Sequence, residues 1–71
     1  MIMLLNPLLE GLESARRAAP DAIHHDDEVT VDDQGDHWIF EFTPRGDVLG
    51  GGARVSVAKD EFRVLKVVRM Q

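Results

Sequence analysis

From Trp38 to Thr43 large apolar residues alternate with other side chains: Trp38, Phe40 and Phe42 stand between Ile39, Glu41 and Thr43. A period of two places the three aromatic rings on one face of an extended strand. That face needs a cover, and the pattern nearer the N-terminus supplies one. Leu8, Leu12, Ala15 and Ala19 recur at helical spacing, with Leu5 and Leu9 flanking the stripe. Asn6 followed by Pro7 is a helix start: Asn accepts a hydrogen bond from a free backbone N–H, and Pro is preset for the first helical position. Pro20 disfavours helical geometry at Ala19. The helix is therefore predicted over about residues 7–19. Glu10 lies near its positive end, and Arg16 and Arg17 near its negative end. Gly11 weakens such a helix by about 1 kcal/mol relative to Ala, yet leaves room for close packing on a sheet.

The same reasoning predicts four strands, over about residues 28–31, 37–43, 52–58 and 62–70. Asp32-Asp33-Gln34-Gly35-Asp36 ends the first of them, and Thr43-Pro44-Arg45-Gly46-Asp47 ends the second. Gly50-Gly51-Gly52 lead into the third, where Ala53, Val55 and Val57 alternate with Arg54 and Ser56. These glycines serve the backbone, through positive φ or a close chain approach. Ala58-Lys59-Asp60-Glu61 form the last turn. The final strand alternates poorly, because Val64, Leu65, Val67 and Val68 put apolar groups on both faces. Two arrangements produce that pattern: a central strand covered on both sides, or a bulge that shifts the register. The fold class expected is α+β, a single domain over residues 1–71, with one N-terminal amphipathic helix packed on a three- to four-stranded antiparallel meander. Such a sheet carries more apolar surface on its second face than one helix can cover. Ile39, Leu65 and Val67 are the candidates there for contact with a partner or a second copy.

Composition sharpens this picture. With 71 residues the chain is near the lower limit for a self-sufficient core, and with no cysteine it has neither a disulfide nor a thiolate metal site to support it. Small domains of this kind often share a core with a partner. Met1-Ile2-Met3-Leu4-Leu5 lacks a basic flank and runs into Asn6-Pro7, so it is not read as a signal sequence. No apolar stretch approaches the roughly 18–20 residues that span a bilayer; a soluble, cytoplasmic protein with no membrane partner is expected. The net charge of −5 is unevenly spread: residues 1–43 carry −8 and residues 44–71 carry +3. An acidic chain is a poor match for nucleic acid and a good one for a basic protein surface.

Candidate chemistry is sparse. His24, His25, Asp26, Asp27 and Glu28 invite a metal reading, with His37 as an outlying member. Adjacent ligands in one short loop converge poorly on a single ion, so no metal and no cofactor is expected. Asp26-Asp27 and Asp32-Asp33 are paired carboxylates without the burial that separates two pKa values for acid–base work. Ser14 and Ser56 have no His–acid partner at a recognisable spacing, and no Lys-Ser/Thr follows Gly50-Gly51-Gly52 as in a phosphate loop. Arg45-Gly46-Asp47 reads as a turn. No catalytic residue is assigned, and an enzyme is not expected. Asp26, Asp27, Glu28, Asp32, Asp33 and Asp36 instead form a candidate acidic edge for binding a partner.

Trp38-Ile39-Phe40, the loop closing on Gly50-Gly51-Gly52, the run Ala53 to Val57, a polar turn, and Val64-Leu65-Lys66-Val67 ending near Gln71 resemble the C-terminal signature of NTF2-fold immunity proteins. The strand–turn–strand at the end is also similar to that of PepSY-like domains. The resemblance covers residues 36–71. The chain is too short for the further helices of an NTF2-fold domain, and Glu61-Phe62 stand where that family has a turn glycine, so a reduced helix-on-sheet form is expected. The resemblance implies an immunity role, in which the protein binds and occludes a cognate bacterial toxin. The PepSY-like alternative implies a small dimerisation or protein-interaction module, with a homodimer as its assembly.

Overall fold

The helix approaches the sheet at Gly11, where a Cβ would come within 2.6 Å of Trp38 Cζ3 and 2.8 Å of its Cε3. A computed structural model describes residues 7–24, 26–45 and 51–69. In chain order it comprises α1 (Pro7–Ala18), β1 (Glu28–Asp33), β2 (His37–Thr43), β3 (Ala53–Ala58) and β4 (Val64–Arg69). The strands form one antiparallel sheet in the order β1-β2-β3-β4, and the helix precedes them, an α+β fold. The helix lies chiefly on β3, with β4 and β2 beside it. The Asn6 cap, the Met1–Leu5 segment, His25 and the 46–50 stretch fall outside the described residues.

Small residues set the buried line of the helix. Gly11 and Ala15 are buried, as is Ala19 just beyond its end, with Leu12 and Ala18 packed beside them. Leu8, expected on that stripe, is 38 % exposed, and Leu9 is 56 % exposed. Gly and Ala let the helix axis come close to three aromatic rings, which a leucine-led face would hold away. Pro20 restricts Ala19 as expected: the helix ends at Ala18, and the Ala19 carbonyl accepts the N–H groups of Ala22 and Ile23, both at 3.0 Å.

Cross-strand register builds the core in rows. Trp38 opposes Val57, Phe40 opposes Val55 and Phe42 opposes Ala53. Phe40, Phe42, Val55 and Val57 are fully buried, each contributing about 1.5–3 kcal/mol relative to an exposed side chain. Arg16 lies over the Phe42 ring with its guanidinium carbon 5.6 Å from the centroid, covering the rim of the core with its stem and charge.

Strand boundaries differ from the sequence expectation where backbone geometry intervenes. β1 runs on through Asp32 and Asp33, which pair with Ile39 and Trp38. On an exposed edge strand, acidic side chains cost the ladder little. The turn that remains is closed by Gln34 N–H to the His37 carbonyl at 2.9 Å, with Gly35 at φ 93°. β4 begins only at Val64, because Glu61 and Phe62 have φ of 63° and 54° and belong to the turn. Gly51 and Gly52, with φ of 88° and 89°, supply the left-handed geometry expected of the glycine run.

The poor alternation of the last strand has a single origin. Between Ser56 and Val57 the register jumps, so that Ser56 opposes Lys66 but Val57 opposes Val64. Leu65 is the extra residue of a β-bulge. β4 is an edge strand, which excludes the doubly covered central-strand arrangement. The bulge also returns Val67 to the helix side, opposite Val55 and packed on the core. Val67 therefore does not share the uncovered face with Ile39, a correction to the expected grouping. Val68, opposite Arg54, does.

Candidate functional site

Two surfaces stand out: the acidic β1 edge with its adjoining turns, and the sheet face that the helix leaves bare. The six acids of the predicted edge do not form one equivalent set. Asp26, Glu28, Asp32, Asp33 and Asp36 are exposed, whereas Asp27 is buried. Its carboxylate, with only 3 % of the side chain exposed, turns inward. There Asp27 Oδ2 accepts the backbone N–H of His24 at 2.9 Å, while the Asp27 N–H donates to the His24 carbonyl at 3.0 Å. Asp27 thus closes the loop that brings the chain from the helix to β1, its carboxylate buried where the other acids of the edge are exposed.

The exposed acids are also differently engaged. Asp33 Oδ1 accepts from Lys59 Nζ at 2.8 Å and from the Gly35 N–H at 2.9 Å, and these bonds hold its carboxyl below the usual range. Asp36 Oδ1 lies 2.7 Å from His37 Nδ1, and that bond and the imidazole's charge lower it likewise. Asp32 accepts from the Gln34 side-chain amide. Asp26, in the loop before β1, and Glu28, its first residue, complete the edge at the end away from the β1–β2 turn. The ridge is anionic from the loop before β1 to the β1–β2 turn.

Histidine placement follows the same local logic. His24 is associated with Asp27, its Nδ1 3.9 Å from Asp27 Oδ1, and His37 with Asp36. Among the described residues no three His, Asp or Glu side chains gather as metal ligands would. Among them, too, no helix is long and apolar enough to cross a membrane.

The bare face is built by every second residue. Row by row across the sheet, Asp32, Ile39, Ser56 and Lys66 are neighbours, then Thr30, Glu41, Arg54 and Val68. A depression of about 430 Å³ lies here, lined by Thr30, Val31, Asp32, Ile39, Glu41 and Arg54. Arg54 Nη2 lies 3.6 Å from Glu41 Oε1 across the strands. Leu65, at the bulge, is 50 % exposed. Acids thus occupy the β1–β2 half of the face and bases the β3–β4 half. Sequence reading singled out Ile39 on this face but missed Glu41, Arg54 and Lys66. The alternation of Arg54 and Ser56 with Val55 already placed Arg54 opposite the core; its partner needed the β2–β3 register.

No protein-family model, curated protein or solved structure matches the chain. The functional reading accordingly stands on the chain's own surface chemistry.

Proposed function

We propose that this protein is an immunity or inhibitor protein that binds a basic partner through its β1 edge and neutralises it by occlusion, the partner being a cognate bacterial toxin. The observation that carries this reading is the exposed row of Asp26, Glu28, Asp32, Asp33 and Asp36 along one edge strand and its turns. A carboxylate ridge on a rigid sheet attracts a cationic cleft over a Debye length of about 8–10 Å and speeds encounter. Occlusion needs shape and charge, and no catalytic group. The unpaired N–H and C=O groups of an edge strand add backbone hydrogen bonds once the partner arrives.

The test begins with capture of the partner on immobilised protein from the source cells, followed by titration of the purified pair. Stoichiometric binding that weakens steeply with salt, and at least tenfold on Asp26→Lys/Asp36→Lys, is the expected result. Neither residue belongs to the core, so the fold stays intact as a control. A captured partner whose affinity ignores both salt and this double reversal would sink the acidic-edge reading. The bare sheet face favours a second reading, a dimerisation module.

A further inference from the structure

The outer face is electrically divided along the direction that crosses the strands. Glu28, Asp32 and Glu41 occupy β1 and β2, while Arg54 and Lys66 occupy β3 and β4. Ile39 and Ser56 lie side by side in the middle of one row. A face of this kind is complementary to itself, but only in one orientation. A two-fold axis perpendicular to the strands would stack β1 on β1 and set the acids of that strand against those of the second copy. An axis parallel to the strands stacks β1 of one copy on β4 of the other, the acidic half of each face against the basic half of the second.

We propose that two copies of this chain pack outer face to outer face about a two-fold axis parallel to the strands, with Asp32 of each copy against Lys66 of the second and Glu41 against Arg54 of the second. Both pairs follow from the register, because Asp32 and Lys66 share one row and Glu41 and Arg54 share another. Rotation about such an axis exchanges the two ends of a row and leaves the row itself in place. The Glu41–Arg54 pair already present within each sheet becomes half of an alternating ring of four charges at the centre. In the same row Ile39 of each copy lies against Ser56 of the second, the two Ile39 side chains diagonal to one another across the axis. The Asp32–Lys66 pairs lie over the edge strands, where water still reaches them and desolvation is small. The contact is isologous, as closed dimers require, and the aligned sandwich it makes is an ordinary way for two sheets to pack.

Area sets the strength. Four strands spaced about 4.8 Å apart and some six residues long present roughly 400 Å², about half of what each partner gives to a standard interface. The dimer is therefore weak, concentration-dependent and sensitive to salt. It engages Asp32 but leaves the open edge of β1 accessible with Asp26, Asp33 and Asp36, and Arg54 and Lys66 take no part in the acidic-edge reading. Failure of either proposal leaves the other standing.

Sedimentation equilibrium of the purified chain up to about 1 mM, where even a millimolar association is half formed, tests the arrangement. The expected result is a monomer–dimer equilibrium that Lys66→Asp and Asp32→Lys each weaken about tenfold. The double variant Asp32→Lys/Lys66→Asp restores it to within about threefold, since the swapped charges face each other again. Far-ultraviolet circular dichroism verifies that the variants remain folded, and Lys66→Gln gives an intermediate loss should Lys66→Asp fail to fold. A strict monomer at that concentration overturns the proposal. So does a double variant no better than the single ones, or an association indifferent to 0.5 M salt, about a 4 Å Debye length, which would point to edge-to-edge pairing instead.

Discussion

The Phe62 ring lies parallel to the Trp38 indole, with centroids 6.3 Å apart and 6° between the planes. The contact joins the β3–β4 turn to the central aromatic strand, and Lys59 adds to it, its Nζ 5.5 Å from the Trp38 ring centroid. Reaching this position requires left-handed backbone at two successive non-glycine residues, Glu61 and Phe62. Each costs about 1–2 kcal/mol. The turn is thus held by its aromatic contact against its own backbone preference.

Glu61→Gly should release part of that cost and stabilise the protein by about 1 kcal/mol. In a domain of this size the thermal midpoint then rises by roughly 4–8 °C. Phe62→Ala keeps the strain and loses the stacked ring, so it lowers stability by about 1–2 kcal/mol. Thermal unfolding followed by circular dichroism ranks the pair. A Glu61→Gly variant less stable than the parent would show that the turn carries no strain.

Gly11→Ala reverses the usual rule for helix interiors. Helix propensity alone gains about 1 kcal/mol from this change. The added Cβ, however, would lie 2.6 Å from Trp38 Cζ3, and Trp38 is fixed by Phe40, Phe62 and Lys59 around it. Overpacking of this kind costs about 1–3 kcal/mol. Net destabilisation in a urea titration is the expected outcome. A gain in stability would mean that the indole can move aside.

Asp27→Ala removes the acceptor of the His24 N–H and loosens the loop into β1, at a cost of about 1 kcal/mol. Asp27→Asn retains an acceptor and costs about half as much. Asp26→Ala, one residue away but exposed, changes stability by no more than about 0.5 kcal/mol. Urea midpoints of the three variants should fall in that order. Equal effects at positions 26 and 27 would contradict the buried placement of Asp27.

Acid should weaken the fold through three surface carboxylates. Asp21 is lowered by its hydrogen bonds with Arg69, Asp33 by Lys59 and the Gly35 N–H, and Asp36 by His37. A carboxyl lowered in the folded state stabilises it fully above the unfolded value, 3.8 for these groups, and loses that contribution as pH falls through the folded value. The Asp21 pair is the telling one, since Arg69 Nε and Nη2 donate to it at 3.3 and 3.2 Å and tie the post-helix loop to β4. Denaturant midpoints measured from pH 6 to pH 2 should decline below about pH 4. Asp21→Asn should show a shallower decline, and high salt should flatten both. A midpoint constant down to pH 2 would refute the linkage.

What could be read from residues alone were the features that depend on neighbours in sequence. Alternation at Trp38, Phe40 and Phe42 names the core face without any tertiary information, because a strand's side chains point to opposite faces in turn. Proline at position 20 and glycines at 51 and 52 mark a helix end and a left-handed turn for the same local reason. The division of charge between the two halves of the chain was also visible, since it is a property of composition.

Packing decided the rest, because it depends on residues distant in sequence. Asp26 and Asp27 are chemically alike, and only the path of the loop assigns one to solvent and the other to the His24 N–H. Val64, Leu65, Val67 and Val68 fit two arrangements as a string, and the bulge opposite Ser56 and Val57 selects one. The slip moves Val67 into the core and leaves Val68 outside. Pairing across strands likewise gathered Glu41, Arg54, Asp32 and Lys66 onto one face, where charges separated along the chain became the two halves of a single surface.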